Sequence, residues 1–192
     1  MEIVRLTLGP FAVHTYIVKE GDFCAVIDPE ENNGEIEAAL RGRGWTPTDI
    51  LLTHTHIDHL RGVNGLPETA ALHVHEAEAH LVHGRNTDVG FPFAKSRTID
   101  RPVTPFVEGV TIGPFTVIHT PGHSPGGSLF VAPGHVFSGD SMFVMGITKL
   151  DAPLSDVPAY MRSIQTMYAL DGNARLHAGH GADGFVRDGI PR

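Results

Sequence analysis

The apolar run Ile50-Leu51-Leu52 leads straight into Thr53-His54-Thr55-His56-Ile57-Asp58-His59. This join constrains the chain more than any other feature. The run reads as a short buried strand, and three imidazoles and a carboxylate follow it within six residues. In extended backbone, residues i and i+2 project to the same side, so His54 and His56 can grip one cation. Asp58 and His59 come where the chain can turn into a short helix, and there they point at a second position close to the first. Imidazole and carboxylate are ligands that zinc, iron and manganese accept. A fold built on this segment must bring further ligands to the C-terminal end of that strand.

Three more segments can do so. Thr120-Pro121-Gly122-His123-Ser124-Pro125-Gly126-Gly127 follows a strand pattern over Phe115 to His119. Its Gly and Pro residues impose tight turns and let backbone approach a ligand closely. His123 is its one reactive side chain. Ser138-Gly139-Asp140 closes the strand pattern His135 to Phe137, and a carboxylate held at a strand end can bridge two cations. Ala178-Gly179-His180-Gly181 follows a last strand, Arg175 to His177. A lone loop histidine is more often a surface residue than a ligand. Four such loops, each at a strand's C-terminal end, are where sites collect in mixed α/β architectures.

The remaining pattern supplies the scaffold. Ile3 to Leu8, Phe11 to Val18 and Cys24 to Ile27 read as strands, with Gly9-Pro10 as a turn. Gly34 to Arg41 reads as a helix, capped by Asn32 or Asn33 and stopped at Gly42 or Gly44. Leu72 to Val74 predicts a strand, Glu76 to Val82 a helix, and residues 84–101 a long loop. Val110 to Ile112, Phe115 to Ile118, Leu129 to Val131 and His135 to Phe137 predict hairpin strands. A helix from Pro158 to Leu170 follows, capped by Asp156, with Met161, Ile164, Met167 and Tyr168 on one side. Each half offers several strands plus a helix. Two mixed sheets packed face to face, with helices outside, fit this order better than a doubly wound parallel sheet, because hairpins imply antiparallel pairs.

These motifs resemble the metallo-β-lactamase superfamily, and within it the glyoxalase II-like hydrolases. The order His-x-His-x-Asp-His, Pro-Gly-His-Ser-Pro-Gly, Ser-Gly-Asp, Gly-His-Gly is similar to that family's, across most of the chain. The strands Val13 to Val18 and Val26-Ile27-Asp28 resemble its early strands. The resemblance implies an α/β (α+β) fold, a four-layer αββα sandwich, with a binuclear site in the groove between the sheets. It implies that His54, His56 and His123 hold one metal, that Asp58, His59 and His180 hold the other, and that Asp140 bridges them. Two divalent ions per chain are then expected, zinc first, with iron or manganese as alternatives. A water between two cations is acidified toward hydroxide, and the same cations polarise a carbonyl. Asp58 is the catalytic residue expected to orient that hydroxide. The implied activity is hydrolysis of an acyl thioester such as an acyl-glutathione, a small-molecule substrate. Gly-x-Ser-x-Gly does not occur, and no serine nucleophile is needed.

Two departures bear on this. Where many glyoxalase II-like members carry Gly-Arg-Thr-Asp after the bridging aspartate, this chain has Gly146-Ile147-Thr148-Lys149. That weakens an assignment to the persulfide dioxygenases, mononuclear iron enzymes that share the run and form the main alternative. The sequence also ends twelve residues after His180. Full-length glyoxalase II continues into a helical domain that grips glutathione, so a single domain over residues 1–192 without it is expected. Lactonase and β-lactamase activities are rivals within the hydrolases, and a non-catalytic metal-binding module is a rival outside them.

Composition narrows the partners. Asp and Glu total 22 against 14 Lys and Arg, a formal charge of −8, which argues against nucleic acid and against anionic membrane surfaces. No apolar run approaches a membrane span and no secretory signal opens the sequence, so a reducing cytoplasm is the expected compartment and an exported β-lactamase is disfavoured. Cys24, the one cysteine, reads as a buried inert thiol. Six histidines outside the motifs, His73, His75, His80, His83, His119 and His135, read as structural or surface residues. His177 is a candidate to support the last ligand loop. The motifs do not discriminate among acyl groups, thiol carriers, the three metals or oligomeric states.

Overall fold

The computed structural model describes residues 1–30, 34–83 and 99–189. Twelve strands form two six-stranded sheets among these residues. The first sheet runs β1 (Glu2–Leu8), β2 (Val13–Glu20), β3 (Phe23–Ile27), β4 (Asp49–Leu51), β5 (Ala71–His75), β6 (Val103–Phe106) in both sequence and space. The second has the spatial order β12-β11-β10-β9-β8-β7. It comprises β7 (Thr111–Ile112), β8 (Phe115–His119), β9 (Ser128–Ala132), β10 (His135–Gly139), β11 (Arg175–Ala178) and β12 (Gly184–Phe185). Both are mixed. β1–β2–β3 pair antiparallel while β3–β4–β5–β6 pair parallel. β10 and β11 are the parallel pair of the second sheet.

The period-two pattern of the strands sorts side chains into three cores. On β2, Ile17 points to the outer face of the first sheet while Tyr16 and Val18 point inward; on β3, Cys24 and Val26 point outward, Ala25 and Ile27 inward. The outer group packs on Ile36 and Leu40 of helix α1 (Glu35–Arg41). The inner group meets Phe115, Val117, Phe130 and Phe137 of the second sheet. Leu129 and Val136, the alternates of Phe130 and Phe137, face Tyr160, Ile164 and Met167 of helix α2 (Val157–Tyr168). Helix, sheet, sheet, helix are thus four layers with a core at each junction, as expected. The fully buried rings of Phe115, Phe130 and Phe137 each contribute about 1.5–3 kcal/mol of transfer free energy.

Several local expectations need correcting. β2 begins at Val13, because Phe11 and Ala12 lie in the turn from Gly9 and Ala12 has φ 54°. The predicted helix Glu76 to Val82 is a turn with one short 3-10 segment, Ala79–Leu81. The sheet overrides helix propensity there: Glu76 N–H donates to Phe106 O and continues the β5–β6 pairing. Val110 lies outside β7. β6 went unpredicted because it carries Pro105, which is tolerated on this edge strand. The two-residue β12 and the four-residue helix α3 (Val186–Gly189) also went unpredicted. Asp156 does cap α2, its side chain accepting from Ala159 N–H at 2.9 Å, but Met161 and Tyr168 are exposed, and Tyr160 takes the inward position. The residue before α1 is Gly34; Asn32 and Asn33, and residues 84–98 of the predicted loop, lie outside the described residues. No helix among the described residues is long and apolar enough to cross a membrane.

Candidate metal centre

Five strands end at one place. β3 delivers Asp28, β4 the segment 53–59, β8 the loop 120–127, β10 Asp140 and β11 His180. The two sheets touch here: a Cβ on Gly139, whose φ is 48°, would collide with Thr53 Oγ1. Only glycine lets β10 turn this close to the first ligand loop. After extended His56, Ile57–His59 forms a 3-10 turn that swings Asp58 and His59 round to a second position.

The result is two triads, with a third grouping of Asp28, His54 and His59 across them. One nitrogen from each of His54, His56 and His123 lies within 4.8 Å of the others, and so do single ligand atoms of Asp58, His59 and His180. Asp140 stands between them. Its Oδ1 is 3.5 Å from His59 Nε2 and 3.6 Å from His180 Nε2, and its Oδ2 is 3.7 Å from His123 Nε2. The structure therefore brings together all seven side chains singled out in the sequence. His56, Asp58, His123, Asp140 and His180 floor a cleft of about 470 Å3, whose other lining includes Phe11, Phe143, Ile147, Lys149, Asp151 and Pro153, with His54 and His59 buried behind it.

The rings are aimed by what holds their far sides. His59 Nδ1 donates to Asp28 Oδ2 at 3.0 Å, His123 Nδ1 to Lys149 O at 2.8 Å, and His180 Nδ1 to Phe11 O at 3.0 Å. Thr53 Oγ1 donates to Asp28 Oδ2 at 2.6 Å, which leaves it to accept from His54 Nδ1 at 3.1 Å. Each of these four rings so turns Nε2 toward the other ligands, and His123 Nε2 lies 2.9 Å from His56 Nδ1. His54 Nε2, His59 Nε2 and Asp140 Oδ1 are buried and have no hydrogen-bond partner. Three unpartnered buried polar atoms in one cluster are costly for a protein that places nothing there. The donor set fits a pair of borderline divalent cations.

The electrostatics agree. Burial, with neighbouring imidazoles, holds His54 well below the usual histidine range and His56 down to about 3, so both are neutral donors. Burial alone would lower His59 too, but Asp58, Asp140 and Asp28 push it up to about 10. A position that retains a proton this tightly favours positive charge. Asp58 is held below the carboxylate range: burial opposes this, and His59 and His180 overcome it.

Two residues of the site escaped the sequence reading. Asp28 anchors His59 directly and His54 through Thr53, and also accepts from Thr53 N–H at 2.8 Å. Its signal was available: a carboxylate at a strand end, as with Asp140. Glu78, 1% exposed, joins two ligand loops. It lay within the predicted helix and gave no signal. Among the other histidines, His80 and His83 are exposed as expected, but His75 is buried in β5 and stacks on His119 with ring centroids 3.9 Å apart. His73 pairs with Asp49 at 2.8 Å. His177 bonds His135 at 3.0 Å and stacks on Phe137, away from the triads. Cys24 is buried, which pushes its thiol pKa up.

Residues 8–180 match the family model of the metallo-beta-lactamase superfamily. The chain is 32% identical to the protein in the crystal structure of TTHA1623 in a di-iron-bound form, with a TM-score of 0.89 over 96% of this chain and 95% of that one. It is 28% identical over 189 residues to the probable metallo-hydrolase YqgX of Bacillus subtilis, covering 93% of this chain and 90% of that protein. It is 37% identical over 150 residues to the hydroxyacylglutathione hydrolase of Brucella ovis. That match takes in 76% of this chain but only 52% of the relative, so the chain spans about half the length of those hydrolases.

Proposed function

We propose that this chain, which belongs to the metallo-beta-lactamase superfamily, is a metal-dependent hydrolase of acyl thioesters. The observation that carries the reading is Asp140 set between two triads, one carboxylate oxygen toward each, on the floor of an open cleft. The likeness to hydroxyacylglutathione hydrolase supports the thioester, and the di-iron form of the 32% identical protein supports two ions. His54, His56 and His123 would hold one ion, Asp58, His59 and His180 the other, with Asp140 shared. A pair of ions so held supplies an acidified water and an electrophilic clamp for a carbonyl oxygen.

The chain's own residues do the rest. Asp28, Thr53 and the carbonyls of Lys149 and Phe11 lock the imidazole tautomers before substrate arrives. Asp58 lines the cleft and is held as the anion, so it can accept a hydrogen bond from a nucleophilic water and orient it. Phe11, Phe143, Ile147 and Pro153 give the cleft an apolar wall for an acyl group. Lys149 is the one Lys or Arg among the described residues lining the cleft, a contact for an anionic thiol carrier.

The test is elemental analysis of protein purified without chelator, together with a panel of thioesters, lactones and persulfides. Metal content should approach two ions per chain, with thioesters turned over fastest. A value fixed at one ion after incubation with excess zinc, iron or manganese, with persulfide oxidation, would replace this reading by the mononuclear dioxygenase. A metal-replete protein inert on every acyl substrate would replace it by a binding module.

A further inference from the structure

Glu78 belongs to neither triad, yet its carboxylate holds both loops that make the first one. Its Oε2 accepts from Thr55 N–H at 2.7 Å, and its Oε1 accepts from Gly126 N–H at 2.8 Å. Thr55 lies between His54 and His56, and Gly126 lies three residues beyond His123. The carboxylate is buried, and no Lys or Arg forms an ion pair with it among the described residues. Its own backbone is pinned, with Glu78 N–H donating to His75 O at 2.9 Å and Leu81 N–H to Glu78 O at 2.8 Å. The loop packs directly on it: a Cβ on Gly126 would lie 2.9 Å from Glu78 Cγ and 3.1 Å from its Cδ.

We propose that Glu78 is a positioning residue that sets the spacing of these two loops and so converges His54, His56 and His123 on one cation. The inference rests on the metal-centre reading above. A buried charge is costly unless every acceptor is used. Here each oxygen takes one N–H, from different loops, at charge-assisted distances. Both loops leave the C-terminal ends of strands in different sheets, β4 and β8, so nothing in either ladder sets their separation. Ser128 N–H donates to Thr53 O at 2.9 Å and joins the two segments at their base; the Glu78 carboxylate ties them at Thr55 and Gly126, beside the ligands themselves. It acts through the backbone of the ligand loops rather than through the imidazoles, unlike Asp28.

Glu78→Gln tests this at nearly constant volume. The amide keeps one acceptor and turns an N–H2 toward the other backbone N–H, so one loop is released. Chelator competition should show a loss of metal affinity of about 10- to 100-fold. The cobalt-substituted protein should show an altered ligand-field spectrum, and turnover should recover as metal is raised. Gly126→Ala is the second variant. It leaves the carboxylate intact and pushes the loop off it, so affinity should fall in the same direction by a smaller factor; it also serves if Glu78→Gln does not fold. If both variants only lower the melting temperature, with affinity and cobalt spectrum as in the parent, Glu78 is structural and the proposal fails. A parent protein that binds no metal would instead overturn the metal-centre reading itself.

Discussion

Asp140→Asn is the substitution to which the proposed chemistry is most sensitive. The two carboxylate oxygens are not equivalent in use: Oδ1 faces His59 and His180 at 3.5 and 3.6 Å, and Oδ2 faces His123 at 3.7 Å. An amide has one oxygen and no charge. However it turns, one triad exchanges an anionic oxygen for an N–H2, which has no lone pair to offer a cation. The cleft floor also loses one of its negative charges. Removing a single preorganised electrostatic contact from an active site costs about 2.7–4 kcal/mol, or 10²- to 10³-fold. Thioester kcat/KM should therefore fall at least about a hundredfold, with metal content dropping from about two ions toward one. The assay is parallel purification of parent and variant with matched metal incubation, then elemental analysis and hydrolysis at saturating metal. The substitution keeps the side-chain volume, so parent and variant should melt alike once both are stripped of metal. A variant with parental rate and parental metal content would remove Asp140 from the site and with it the two-ion reading.

Stability and specificity give two further predictions. Arg61 pairs with the carboxylate of Glu30, which is fully buried, so Arg61→Met should cost about 3–5 kcal/mol in urea unfolding at pH 7. Burial already raises the Glu30 pKa against the opposing pull of Arg61, and the variant raises it further. A carboxyl with a raised folded-state pKa is stabilising below its unfolded pKa and loses that contribution as pH rises through the folded value. The deficit should thus shrink between pH 7 and pH 5, and Glu30→Gln should restore part of it at pH 7; a deficit independent of pH would refute the argument. Lys149→Met should lower kcat/KM by about 10- to 150-fold for a thioester of an anionic thiol, the worth of one hydrogen bond to a charged group, and leave a neutral thioester within about threefold. No loss on either substrate would mean that Lys149 acts only through its backbone carbonyl on His123, which methionine retains, and equal losses on both would mean that its side chain shapes the loop rather than contacting the thiol carrier.

The layers were legible because the strands alternate so cleanly. Leu129-Phe130 and Val136-Phe137 each split their side chains between two cores, and the Gly-Pro turns between them bound the elements. What failed to show was decided by tertiary contacts. Glu76 to Val82 has helical composition, but the ladder to β6 extends through Glu76 and the side chain of Glu78 is taken by two distant loops. β6 is hidden by Pro105, since an edge position cannot be read from a single strand. On α2, periodicity alone admitted Met161 and Tyr168 to the inner face, whereas the sheet selects the neighbouring stripe through Tyr160.

The site divides along the same line. The ligand-type residues of the site are clustered in four short motifs at strand ends, so seven side chains could be named from spacing and motif. The groups that aim them could not, because backbone carbonyls of Lys149 and Phe11 have no sequence signature, and carboxylates such as Asp28 and Glu78 look like any other until their partners are known. Those partners carry much of the chemistry. A histidine loop free to rotate offers either nitrogen and pays the entropy of choosing when a cation arrives; here Nδ1 is committed on four rings, and the opposite face is left as the donor. Asp28 illustrates the economy of the arrangement. One oxygen takes His59 directly and the hydroxyl of Thr53, while Thr53 takes His54, so a single carboxylate fixes one ring in each triad. Geometry at the two positions is therefore coupled through the protein as well as through Asp140, and a change at either should be felt at both.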